Sequence, residues 1–214
     1  MNDKFKFLII SVSLLALASA VYFFPVLPDK IPTHWEMSGE IDQYSSKWLI
    51  FVFALLPIAV YAIMGILPKI DPKKESYLKH QKAYETTRIA TFVFMTGIYV
   101  LTLLASFGYD IKMDMIIKFG IGALFILIGN VLSQARHNYF FGIKTPWTLA
   151  NETVWNKTHR VGAYSFVIMG LVNCIMAFIS GIISGYIFFA SIMIGAGYPV
   201  VYSYIQYKKI QKEK

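Results

Sequence analysis

Two stretches of this chain hold the residues whose types and spacing could do chemistry. The first reads Ile31-Pro32-Thr33-His34-Trp35, followed by Glu36, Gly39, Glu40 and Asp42. His34 could bind a metal ion with Glu36 or Asp42, but one imidazole without a set ligand spacing is a thin donor set. The stretch is acidic on balance, with Asp29, Glu36, Glu40 and Asp42 against Lys30 and Lys47. Pro28 and Pro32 force extended backbone and Gly39 permits a tight turn. An acidic, aromatic, conformationally restricted loop could meet a cationic or amphipathic peptide. The plainer alternative is structural, with Trp35 and Trp48 anchored at a membrane interface and His34 capping the loop.

The second stretch runs from Ser133 to Arg160 and carries His137, Glu152 and His159. A catalytic reading would use those three. The chain lacks a metalloprotease H-E-x-x-H, a G-x-S-x-G elbow and a phosphate-binding glycine loop. No enzyme, catalytic residue, metal or cofactor is therefore expected. Asn151 suits a helix N-cap, and Glu152 places negative charge in the first turn. His159 and Arg160 suit a last turn, and Val154, Trp155 and Thr158 share a face. The pattern predicts a short amphipathic helix lying on the inner leaflet. Two N-x-[ST] sequons, at Asn151 and Asn156, matter only if this loop faces outward.

The elements that must position these stretches are set by composition. Of 214 residues, 57% are hydrophobic and only 15% charged. Mean hydropathy is +0.55. A soluble domain carries about a quarter charged residues. The apolar residues fall into six blocks of roughly 20 residues, the length a helix needs to cross a bilayer. They run over 7–27, 48–67, 89–107, 115–132, 161–180 and 186–204, the first two stopping at Pro28 and Pro68. The runs are continuously apolar and not alternating, which selects helices over a barrel. The expected fold is an all-α polytopic membrane protein. Lys118 is the only lysine or arginine inside any block, near enough to an end to snorkel to the headgroups.

Sixteen of the twenty lysines and arginines fall in the segments that are inside if both termini are cytoplasmic. The positive-inside rule therefore predicts a membrane protein with both termini inside, N-in/C-in. Topology and anionic lipid account for the net charge of +8 without a nucleic-acid partner. Lys4, Lys6 and Ala18-Ser19-Ala20 look like a secretory signal, but the apolar run continues to Leu27 and an uncleaved helix is expected. Cys174, the single cysteine, excludes a disulfide and is read as a small buried apolar residue. The block interiors hold no Asp, Glu, His or Arg. Asn130 and Asn173 are expected to bond between helices. Pro57 and Pro199 can kink the second and sixth spans. Gly120, Gly122 and Gly129 form a small-residue face for close packing. The loop from Lys69 to Arg88 reads as a polar helix whose Tyr77, Gln81 and Tyr84 form a solvated or lipid-surface face.

The stretch Gly142-Ile143-Lys144-Thr145-Pro146-Trp147-Thr148-Leu149, with Val154-Trp155 and Thr158-His159-Arg160, closely resembles the signature of the SdpI/YfhL family of bacterial membrane proteins. Leu27-Pro28-Asp29-Lys30-Ile31-Pro32-Thr33-His34-Trp35 with Gly39 resembles the N-terminal module often fused to it. One departure is Lys144, where the family often has arginine; lysine keeps the charge but lacks the bidentate fork. The resemblance implies protection against a secreted, membrane-active peptide toxin. It also implies a receptor role in which the cytoplasmic face retains a transcriptional repressor. It points to Pro32, His34 and Trp35 outside, which with Glu36 and Gly39 of the same loop are the peptide-binding candidates. Inside it points to Asn138, Gly142, Lys144, Thr145, Pro146, Trp147, Trp155, Thr158, His159 and Arg160, as signature and docking residues. The division expected is a two-helix module over 1–88 and a four-helix region over 89–214. The alternatives are a transporter or flippase of a small or lipidic substrate, against which the uncharged interior argues, and, less favoured for want of a catalytic motif, a membrane enzyme.

Overall fold

The computed structural model describes residues 3–36 and 39–213. Among the described residues, six helices are long and apolar enough to cross a membrane. They are α1 (Asp3–Phe23), α2 (Leu49–Ile70), α4 (Gln81–Ser106), α5 (Met113–Leu132), α7 (Glu152–Met176) and α8 (Ile182–Lys212). Two short helices, α3 (Ser76–Lys79) and α6 (Pro146–Ala150), lie in the connections. The all-α membrane fold expected from composition is present. It also has one small sheet, an antiparallel hairpin of β1 (Lys30–Trp35) and β2 (Ile41–Ser46). The chain is thus a multi-pass membrane protein. One end of the bundle, the hairpin face, holds the hairpin and residues 107–112 and 177–181. The other, the loop face, holds the start of α1, the end of α8 and residues 71–80 and 133–151.

The spans pack as a series of neighbours: α1 on α2, α2 on α4, α4 on α5, α5 on α7, and α7 on α8. Small residues set the closest approach, between α5 and α7. A Cβ at Gly122 would lie 2.7 Å from the Gly170 carbonyl oxygen, and one at Gly129 would lie 2.9 Å from that of Ala163. Gly120 turns instead toward Phe94 of α4. In α7, Asn173 is fully buried and its Oδ1 accepts a bond from Ser191 of α8, as expected of an interhelical amide. Asn130 is exposed and makes no such bond, because its side of α5 faces a groove. Cys174 is only half-buried, at the edge of the α5–α7 contact.

Several helices are longer than their apolar blocks. α2 continues through Pro68 to Ile70. A proline cannot donate to the carbonyl four residues back, which here is Met64. The Tyr84 hydroxyl of α4 donates to that oxygen. Pro199 leaves the Gly195 carbonyl free in the same way, and Ser165 Oγ of α7 donates to it at 2.7 Å. Neighbouring helices thus mend both breaks, as a bilayer without water requires. The amphipathic helix expected on the leaflet surface is absent as a separate element. Asn151 caps it by accepting from the Val154 N–H at 3.1 Å, but the helix runs on into the fifth span without a stop. The polar helix expected before the third span is broken by His80, and Tyr77 and Tyr84 are buried and not at a solvated surface.

Lys118 does not snorkel. It is 4% exposed, donates to Ser184 Oγ at 3.0 Å, and pairs with Asp114 at 3.5 Å. The serine of α8 and the aspartate one turn earlier give a buried ammonium partners that headgroups would otherwise supply.

Candidate functional site

The hairpin face is organised by backbone constraint. Pro32 lacks an N–H, and the strand register slips between Pro32 and His34 and again before Trp35. Ile31 and Pro32 are buried, and Ile31 packs with Ala20, Leu27, Ile50 and Tyr99, fixing the hairpin to the bundle. His34 therefore turns outward, where its Nδ1 lies 2.7 Å from Asp42 Oδ1 across the hairpin. Gly39 has φ +91°, and a Cβ there would lie 3.1 Å from Asp114 Oδ1, so the turn abuts the start of α5.

Between hairpin and bundle lies a cavity of about 430 Å³. His34, Trp35, Glu36 and Asp42 line one side; Asp114 and Lys118 line another. Ile117, Ile182, Phe188 and Phe189 form its apolar wall. Three carboxylates facing one buried ammonium leave the cavity acidic. Of the outer candidates, His34, Trp35 and Glu36 meet here, Gly39 shapes the turn beside it, and Pro32 supports it from beneath. Asp114, Lys118 and Phe188, which the sequence reading did not place here, belong to the same site. The buried Lys118 could have signalled them. Among the described residues no group of three or more histidines, cysteines, aspartates or glutamates is placed to hold a metal ion.

The loop face is a knot of buried polar groups. Asn138 is fully buried. Its Nδ2 donates to the carbonyls of Arg136 (2.7 Å) and Phe141 (2.9 Å). Its Oδ1 accepts from the N–H groups of Phe140 (2.9 Å) and Phe141 (2.7 Å), and from the Tyr77 hydroxyl at 3.1 Å. Asp71 reaches the same hydroxyl at 3.1 Å and accepts from the Tyr139 N–H at 2.9 Å. Burial, and then the Asp71 carboxylate, push the Tyr77 hydroxyl well above its ordinary range, so it stays a donor.

His159 and Trp155, both fully buried on α7, stack with ring centroids 4.0 Å apart. His159 Nε2 accepts from the Ile143 N–H at 2.9 Å, so Nδ1 carries the proton and donates to the Trp155 carbonyl at 2.8 Å. Trp155 Nε1 donates to the Ala135 carbonyl at 2.8 Å. Gly142, with φ +115°, brings the chain against that imidazole. Thr145 caps α6 in a reciprocal box with Thr148 and meets Ser203 of α8 at 3.0 Å. Thr158 is fully buried, Trp147 packs on Tyr204, and Pro146 starts α6. Lys144 is exposed and donates to the Phe140 carbonyl at 3.2 Å. Arg160 is exposed on the outer side of α7.

Most of the inner signature is thus internal to the knot; among its members Lys144, Pro146 and Arg160 are exposed. The knot also takes in Asp71, Tyr77, His80 and Tyr84, supplied by chain far from the signature, and His137, the neighbour of Asn138.

His80 and His137 are buried at this face and held neutral. Burial, and then nearby Arg136, lower the pKa of His80; its Nδ1 accepts from the Arg136 N–H at 3.2 Å. Burial, and then Lys73, lower that of His137, whose Nδ1 lies 2.7 Å from the Lys73 ammonium. An unfolded loop takes up protons near 6.5, the ordinary histidine value, and the folded loop only at lower pH. The unfolded state therefore binds more protons as pH falls below 6.5. Stability from these groups is full above that value and is lost below it. In a variant whose only tryptophan is Trp155, emission should shift to the red between about pH 7.5 and about pH 5. His80→Phe with His137→Phe should flatten the transition. An emission unchanged over that range would contradict the loss of loop stability expected below pH 6.5.

Fold and faces together define a multi-pass, all-α membrane protein with its polar structure gathered at the two ends of the bundle. Residues 134–203 match the model of the SdpI/YfhL protein family. Residues 12–58 match that of a domain of unknown function, DUF1648. The chain is 27% identical over 207 residues to the immunity protein SdpI of Bacillus subtilis (strain 168), covering 94% of this chain and 96% of that one. These matches support assigning the chain to the SdpI/YfhL family, and with it to the bacterial membrane. No solved structure matches it.

Proposed function

We propose that this protein gives its cell immunity to a secreted, membrane-active peptide, bound at the hairpin face. The observation that carries the reading is the likeness to an immunity protein over nearly the whole of both chains. The cavity chemistry supports it. Glu36, Asp42 and Asp114 suit a cationic group, and Trp35 with Phe188 and Phe189 suits an apolar one. The basic loop face is cytoplasmic in this reading, by the charge rule. Its exposed Lys144, Pro146 and Arg160 are candidates for docking a repressor that relays toxin arrival. The work in this reading is binding, not catalysis: His159, the most buried histidine, uses both ring nitrogens to hold the loop. Transport is less well supported, because the charged pair Asp114–Lys118 lies at the start of α5 and not at mid-span.

The test is survival of cells expressing the chain when challenged with secreted, cationic, membrane-active peptides. Wild type should protect. Trp35→Ala should lower protection by about tenfold at equal protein level, as loss of an aromatic anchor does. A challenge in which wild type gives no protection would sink the immunity reading.

A further inference from the structure

A second opening, of about 550 Å³, lies between α5 and α7 at the loop face. Gly129, Ala163 and Val167 form its floor, where the glycine brings the two helices together. Its rim carries Asn130, Ser133, Arg136, Asn156, Arg160 and Tyr164. The α7 members recur every three or four residues, so they share one face of that helix. The two guanidiniums are exposed, and no carboxylate lines the groove. Arg136 uses its backbone N–H on His80, while its side chain has no ion-pair partner among the described residues; nor has that of Arg160. Asn130 is an exposed amide in the last turn of a span, without a hydrogen-bond partner among the described residues. An amide at the edge of hydrocarbon needs a polar partner, and this groove offers it none from the protein.

The geometry points to a binding site for the phosphate headgroup of an anionic phospholipid. Arg136 and Arg160 would hold the phosphate oxygens, and Asn130 and Asn156 the remaining headgroup oxygens. Guanidinium forks match phosphate, and two without a counter-charge favour an anionic lipid over a zwitterionic one. The floor continues along α7 from Ala163 to Val167, which gives an acyl chain an apolar path into the bilayer. A soluble phosphate would gain nothing from that path. Basic pockets between helices at a membrane face take lipid headgroups for this reason. The inference is independent of what the hairpin face binds.

The test uses the full-length protein, delipidated in detergent, with lipid retention read by native mass spectrometry. Phosphatidylglycerol and phosphatidylcholine of matched acyl chains are offered together. Wild type should prefer phosphatidylglycerol by about tenfold, the scale of paired charge-assisted contacts. R136Q/R160Q should abolish the preference, while K208Q/K209Q in the basic tail should keep it. R136K/R160K, which keeps charge without the fork, should be intermediate. Unfolding midpoints in phosphatidylcholine should match across the set, showing that the variants fold. Equal retention of the two lipids by wild type overturns the site, as does an undiminished preference in R136Q/R160Q. Displacement of phosphatidylglycerol by equimolar glycerol 3-phosphate overturns the lipid and leaves a soluble phosphate as the ligand.

Discussion

Asn138→Leu is expected to destabilise the protein by about 4 kcal/mol, the upper range for a single residue. The size and burial of the side chain are nearly kept, so packing contributes little. Five hydrogen bonds are lost at once. The N–H groups of Phe140 and Phe141, the carbonyls of Arg136 and Phe141, and the Tyr77 hydroxyl are left without that partner. Each stranded buried group costs about 1–3 kcal/mol, and the sum falls short of additive because the loop relaxes and water enters. Tyr77 keeps Asp71, which limits the loss on that side. The measurement is the unfolding midpoint in detergent beside that of Lys144→Leu, an exposed control in the same loop. Equal midpoints for the two variants would show that the knot does not hold the loop.

Gly142→Ala is expected to cost about 3 kcal/mol, from two separable causes. At φ +115° an L side chain is strained whatever the space around it. The added Cβ would also collide with His159 Nε2, so one of the two must move. The imidazole is held at both nitrogens and stacked on Trp155, so it resists. A double-mutant cycle separates the causes. His159→Ala removes the clash and leaves the backbone strain, so the double variant should be more stable than the sum of the singles predicts. Strict additivity would mean that Gly142 is needed for its φ alone.

What could be read from the sequence follows the range of the forces involved. Six apolar blocks announce six spans because burial in lipid depends on composition, which is local. The Pro28–Pro32 constraint and the Gly39 turn were legible for the same reason. Span ends were not. α2 passes Pro68 only because a hydroxyl from α4 takes up the freed carbonyl, a contact between residues 64 and 84. The knot was half legible. Trp155, Thr158 and His159 stand on one face by helical spacing, and Asn151 is a cap by type. Tyr77 and Asp71, the partners of Asn138 and Tyr139, lie more than sixty positions before them. No periodicity announces such a pairing. Lys118 misleads from sequence because snorkelling and internal pairing predict the same position near a helix end.

The mended prolines have a mechanical meaning. A helix broken at a proline is a soft joint, free to bend until something stiffens it. Here the stiffener at Pro68 is a tyrosine rooted in the next helix, and its ring lies against Phe141 of the loop knot. The far end of α2 adjoins the hairpin. The rod that joins the two membrane faces is therefore latched at its elbow to the element it would have to move. Movement of the loop-face end of α2 must either drag Tyr84 and Phe141 along or break that latch, which leaves Pro57 as the bend nearer the hairpin.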